Sequence, residues 1–131
     1  MELSQEQETI GKALVVVVDD DESIRESLPD LLKEFGFSVL AFSSAEEFLA
    51  SGSVNRTNCL ILDIAMPGMS GVDLQKELKR REYKIPVIFI TGQRDESVRK
   101  RVLEHAAVDL LLKPFSDTAL REALSKAMAG G

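Results

Sequence analysis

The sequence predicts an α/β fold, a doubly wound five-stranded parallel sheet with helices on both faces. Three observations point to it. Strand-like and helix-like segments alternate five times along the 131 residues. Two of the strand candidates, 13–18 and 59–63, are almost uninterruptedly apolar, as parallel strands covered on both faces must be. The first helical segment gathers Ile24, Leu28, Leu31, Leu32 and Phe35 on one stripe, the pattern of a helix packed on a sheet. Right-handed crossovers turn five such units into a layered sandwich.

The elements follow in order. The first strand, 13–18, contains four consecutive valines, and β-branched residues suit a pleated, buried strand. A helix over 23–35 ends at Gly36, placed as a left-handed cap. Pro29 inside it removes a backbone donor and crowds the carbonyl of Arg25, which predicts a kink or a late start. A second strand, 38–42, leads to a short helix over 45–50, capped by Ser43 or Ser44, with Glu46 and Glu47 in its first turn. Residues 52–58 read as a polar loop before the third strand, 59–63. The turn-rich segment 66–71 feeds a helix over 72–81, which ends in Lys79, Arg80 and Arg81, where cations suit the helix dipole. The fourth strand is 87–91 and the fourth helix 96–104. The fifth strand, 108–112, stops at Lys113-Pro114, and a last helix over 117–128 is capped by Ser116.

Composition narrows the function. The length suits one domain with a real core. We divide the chain into residues 1–12, a tail or short extra element, and a domain over 13–131. A net charge of −6 argues against direct nucleic-acid binding by this chain. The single cysteine, Cys59, excludes an internal disulfide and a cysteine-based zinc site, and it fits a reducing cytoplasm. No apolar run approaches the roughly 20 residues of a membrane span, and the polar N-terminus has no signal-peptide pattern.

In a doubly wound sheet, ligands bind beyond the carboxyl ends of the strands, near the switch in strand order. There the chain places Asp19 and Asp20 after the first strand, Asp63 on the third, Thr91 on the fourth and Lys113 after the fifth. Taken singly, each has an ordinary structural explanation. The acidic run 19–22 suits a solvated turn and helix start, Asp63 a loop cap, Thr91 a strand end and Lys113 the surface. Together, three carboxylates, a hydroxyl and an ammonium on one edge make a chemical site. Clustered acids repel unless a cation lies among them, and a divalent ion is the natural one.

These residues also carry a resemblance. Val18-Asp19-Asp20, the stretch Leu60-Ile61-Leu62-Asp63-Ile64-Ala65-Met66-Pro67-Gly68-Met69-Ser70-Gly71, Ile90-Thr91-Gly92 and Lys113-Pro114-Phe115 closely resemble the receiver domain of two-component response regulators. The resemblance spans about residues 13–129. The segment 42–49 resembles the subfamily that carries a C-terminal LuxR-type helix-turn-helix output, as in nodulation and nitrogen-fixation regulators. The resemblance implies a flavodoxin-like (CheY-like) sheet of order 2-1-3-4-5. It implies Asp63 as phosphoacceptor from a sensor histidine kinase or histidine phosphotransfer protein. It implies Mg²⁺ (or Mn²⁺) held by Asp20, Asp63 and the Ala65 backbone carbonyl, with Asp19 acting through water. Thr91 and Lys113 would contact the phosphoryl group, and the bond to Pro114 would be cis. The surface of the fourth helix, fifth strand and fifth helix would then control an output domain or effector protein, in the cytoplasm of a bacterium.

The chain departs from the family pattern at two places. Leu110 stands where an aromatic residue usually takes part in the switch, so aliphatic repacking would replace ring rotation. Ala106 stands where glycine is common. Two further positions should tune phosphoryl lifetime: Ala65 offers an attacking water no side-chain hydrogen bond, whereas Gln93 could orient one. On the fourth helix, Val98, Val102 and Ala106 read first as core, with Arg94, Arg99, Lys100 and Arg101 as solvated cations. The sharper reading makes the basic flank part of a phosphorylation-dependent homodimer or an output contact.

Three competitors are weaker. A pseudo-receiver, a pure interaction module of the same fold, is disfavoured by the complete set of acids, threonine and lysine. An aspartyl-phosphate hydrolase of the haloacid dehalogenase type needs a second Asp where Ala65 stands, so the chain is expected to be no enzyme beyond self-catalysed phosphotransfer and slow autodephosphorylation. A flavodoxin-like cofactor binder would set three carboxylates against a flavin phosphate.

Overall fold

The valine run forms the heart of the sheet. The computed structural model describes residues 12–92, 100, 102, 104 and 107–129. Strand β1 is Leu14–Val18, and Val15 to Val18 are completely buried. Its side chains alternate between two cores. Val15 and Val17 pack with Leu28 and Leu32 of helix α1 (Glu22–Glu34) and with Leu120, Ala123, Leu124 and Ala127 of the C-terminal helix (Asp117–Ala129). Val16 and Val18 pack with Ala45 and Phe48 of α2 (Ala45–Ala50) and with Leu74 and Leu78 of α3 (Gly71–Arg80). The period of two along a strand is what divides one valine run between two cores. Complete burial of each such side chain stabilises the fold by about 1.5–3 kcal/mol relative to exposure.

The other strands are β2 (Ser38–Phe42), β3 (Cys59–Asp63), β4 (Val87–Thr91) and β5 (Asp109–Leu112). All pairs are parallel, in the order β2-β1-β3-β4-β5. Chain order reverses between β1 and β3, so the switch point lies between the ends of those two strands.

The local signals resolve as follows. Helix α1 starts at Glu22, one residue before its sequence-predicted start, with Asp21 as N-cap accepting from Ser23 N. It continues through Pro29 without ending or starting late. Gly36 has φ +98°, and the amides of Gly36 and Phe37 close the helix on the carbonyls of Lys33 and Leu32. Of the two serines offered as cap to α2, Ser44 accepts from Glu47 N, while Ser43 bonds the Glu47 carboxylate. The polar loop 52–58 contains a single 3-10 turn, Val54–Arg56, and its Ser53, Val54 and Thr57 are buried. Their burial is made possible by bonds such as Thr57 Oγ1 to the Ser53 carbonyl at 2.9 Å. Helix α3 begins at Gly71 under a reciprocal capping box between Ser70 and Asp73. Ser116 accepts from Ala119 N at the start of the C-terminal helix.

The sequence-predicted fourth helix lies mostly outside the described residues, as do Gln93, Arg94, Val98, Arg99, Arg101 and Ala106. Val102 is helical and buried in the second core, and Leu110 is partly buried against the same core. Of the segment 1–12 only Lys12, exposed, is among the described residues. No described helix is long and apolar enough to cross a membrane.

Candidate functional site

Parallel ladders that run one residue past the strands bring the chemistry together. Asp19 N donates to the Phe42 carbonyl (3.1 Å), Ile64 N to Ile90 O (3.1 Å) and Lys113 N to Thr91 O (2.8 Å). The ends of β1, β3, β4 and β5 are adjacent in the sheet, so Asp19, Asp63, Thr91 and Lys113 share one edge. Asp19, Asp63 and Thr91 are buried, at 0, 5 and 2% exposure, which is rare for acids without partners. Asp20, the next residue after Asp19, is exposed.

The acids form a tight group. One oxygen each from Asp19, Asp20 and Asp63 lie within 4.8 Å of one another. Lys113 Nζ lies 2.8 Å from Asp19 Oδ2 and 3.8 Å from Asp63 Oδ2. Asp19 Oδ1 accepts from Asp21 N at 2.9 Å, whereas its Oδ2 makes no hydrogen bond of good geometry and depends on the Lys113 charge. Burial, followed by the negative charge and hydrogen bonding of Asp19, pushes the Asp63 carboxyl up to about 7, although Lys113 pulls it down. Burial works against the Lys113 ammonium, yet Asp19, Asp63 and Asp21 together hold its pKa above the ordinary lysine value.

This donor set fits a hard divalent cation. It is all oxygen, three carboxylates converge on it, and burial together with the neighbouring Asp19 charge disfavours the ionised Asp63 carboxyl when no cation lies among them. Ala65 is exposed in the loop that follows β3. The loop returns to the strand at Gly71, whose amide donates to the Ile64 carbonyl (3.0 Å); a Cβ on Gly71 would overlap the carbonyl oxygen of Asp63. The Lys113–Pro114 peptide bond is cis.

Two residues at this edge escaped the sequence reading. Arg25 Nη1 donates to the Asp19 carbonyl at 3.0 Å and ties α1 to the acidic turn. The available signal was an arginine one turn inside a helix that begins at the acids. Glu46 Oε2 accepts from Met69 N at 3.2 Å, across 23 residues of chain, and only its place in the first turn of α2 marked it in the sequence.

Comparison with known proteins agrees with this fold. The family model "Response regulator receiver domain" matches residues 15–125. "Nodulation protein W" of Bradyrhizobium diazoefficiens is 47% identical over 117 residues, covering 89% of this chain and 52% of that protein. Among solved structures, the crystal structure of FixJ-N has a TM-score of 0.81 and 38% identity, covering 90% of this chain and 94% of that one. The response regulator StyR has a TM-score of 0.82 and 40% identity, covering 91% of this chain and 60% of that one. The chain spans about half the length of the curated relatives it matches. With its sheet order, its edge of acids, threonine and lysine, and a family match over most of its length, the chain belongs to the receiver domains of two-component response regulators.

Proposed function

We propose that this domain is a phosphorylatable switch in which Asp63 accepts a phosphoryl group from a phosphohistidine of a sensor kinase or phosphotransfer protein. The observation that carries this is the position of Asp63: last in β3, buried, with the Asp19 and Asp20 oxygens within 4.8 Å and the Lys113 ammonium at 3.8 Å. The Asp63 carboxylate oxygen attacks phosphorus, an O–P bond forms as the N–P bond breaks, and the released imidazole nitrogen takes the electron pair and a proton. Asp20, Asp63 and the Ala65 carbonyl would hold Mg²⁺ (or Mn²⁺), with Asp19 behind them. When bound, that ion supplies neutralisation of the phosphoryl oxygens.

The rest falls to the chain's own groups. Lys113 acts as a point charge on a phosphoryl oxygen, and the Thr91 hydroxyl donates to another. Both contacts exist only in the modified state. That difference can shift the domain between inactive and active populations. Among the described residues the readout face includes β5, where Leu112 is 36% exposed, and the C-terminal helix. Its target is an output domain or effector protein, and the setting is the bacterial cytoplasm.

Incubation with acetyl phosphate and Mg²⁺, followed by intact-mass measurement, tests the proposal. The wild type should gain one phosphoryl group and Asp63→Asn none. A wild type that gains none, from acetyl phosphate or from a phosphorylated histidine kinase, would instead identify a pseudo-receiver.

A further inference from the structure

The loop between Ile64 and Gly71 carries Ala65, two residues after Asp63, and its Ile64, Met66 and Met69 pack on the second core. Its ends are joined by the Gly71 amide on the Ile64 carbonyl, and Met66 is buried in the second core. Beyond Met66 the chain turns at Gly68, with φ +76°; Met69 then packs, partly buried, against the second core, and its amide donates to Glu46. Glu46 Oε2 accepts from Met69 N at 3.2 Å, and a Cβ built on Gly68 would lie 2.7 Å from the same oxygen. Helix α2 does not need Glu46 for its own start. Ser44 caps it, and Glu47 bonds Ser43 N and Oγ. The Glu46 carboxylate is therefore committed to a loop rather than to its helix.

We infer that Glu46 is a positioning residue for the phosphoacceptor loop. Its carboxylate ties Met69 N–H to α2 and so restrains the loop that carries Ala65. The inference rests on the metal reading of that cluster. Glycine at 68 serves the same arrangement: it supplies the left-handed turn and leaves room for the Glu46 oxygen. A hydrogen bond to a charged acceptor is worth less at an exposed site such as this one than in a shielded one, so the effect is modest. Loosening the loop should thus weaken divalent-ion binding about 3- to 10-fold.

The test compares Glu46→Gln, which keeps an acceptor without the charge, with Glu46→Ala, which removes both. Two readouts are taken: Mn²⁺ affinity by electron paramagnetic resonance, and hydrogen exchange at the Met69 amide without metal. Glu46→Ala should speed Met69 exchange and weaken Mn²⁺ about 3- to 10-fold. Glu46→Gln should stay within about 2-fold of wild type in both readouts. Gly68→Ala should reproduce Glu46→Ala by displacing the same bond. Equal weakening of Mn²⁺ by Gln and Ala would overturn the inference in favour of simple loss of a nearby negative charge. Unchanged exchange at Met69 in Glu46→Ala would overturn it outright. A wild type that binds no Mn²⁺ would instead remove the metal reading itself, with the Met69 exchange still reporting on the tether.

Discussion

Lys113 Nζ is 2.8 Å from Asp19 Oδ2 and a full ångström farther from Asp63 Oδ2. The lysine is thus a structural counter-ion to a completely buried acid. Lys113→Ala should destabilise the domain by about 2–4 kcal/mol in urea unfolding, because it strands a buried charge. Asp19→Asn added to Lys113→Ala should recover at least half of that loss. A single-variant loss under about 1 kcal/mol would mean that solvent or a shifted protonation replaces the pair.

The Asp63 carboxyl predicts an unusual pH profile. Its folded-state value, about 7, lies above the ordinary 3.8, so the folded protein holds this proton more tightly than the unfolded chain. The associated stability is complete below the unfolded value and is lost as pH rises through about 7. Without divalent ions, Tm should fall by several degrees between pH 5 and pH 8, and Asp63→Asn should flatten that fall. Added Mg²⁺ should raise the wild-type Tm more at pH 8 than at pH 6, since the ion competes with the proton. A wild-type profile parallel to that of Asp63→Asn would refute the shift.

Glycine is required at 71 for space and at 52 only for conformation. A Cβ at Gly71 overlaps the Asp63 carbonyl, which as backbone cannot rotate away, whereas Gly52, at φ +77°, faces open space. Gly52→Ala should cost about 1 kcal/mol from its left-handed backbone. Gly71→Ala should cost more, about 2–4 kcal/mol, and should also slow phosphorylation of Asp63 by acetyl phosphate. Urea denaturation of both variants checks the order, and a reversed order would show that the loop yields easily.

Burial pushes the Cys59 thiol up to about 12, against a small opposing effect of the Leu60 backbone. It lies in β3, wholly inaccessible. A disulfide reagent at pH 8 should therefore modify native Cys59 at least about 100-fold more slowly than the urea-unfolded chain. Fast native labelling would mean that β3 opens locally.

Phosphoryl lifetime should follow position 65. Ala65 is exposed beside Asp63 and has no group to orient water. Phosphate loss with Mg²⁺ present should take much longer than seconds, and Ala65→Asn should hasten it several-fold. A lifetime of seconds, unchanged by Ala65→Asn, would refute this.

Much of the architecture was readable from local pattern. The valine run, the apolar stripe of α1, Gly36 and the serine caps each act within a few residues, where propensity and periodicity operate. The failures were also local in kind. The S-x-x-D capping box at Ser70 and Asp73 starts α3 a residue earlier than its apolar pattern suggests. The buried Thr57 hydroxyl donates to the Ser53 carbonyl and the buried Ser53 hydroxyl accepts from Arg56, pairings that composition does not reveal. The late start offered for Pro29 does not occur: the helix begins at Glu22, and Leu28 and Leu32 pack in the core and offset one missing donor.

The sequence by itself determined which side chains stand at the strand ends, since strand boundaries follow from apolar runs meeting polar residues. Tertiary structure alone decided how these side chains divide the work. Asp19 and Asp20 are identical in chemistry and adjacent in sequence, yet one is sealed against Lys113 and the other faces solvent. Both carboxylates reach the same cluster, and the lysine that distinguishes them arrives 94 positions later through the ladder between β4 and β5. Likewise Glu46 looked like a helix-dipole acid, and only the packing of α2 beside the Asp63 loop turned it into a contact with Met69.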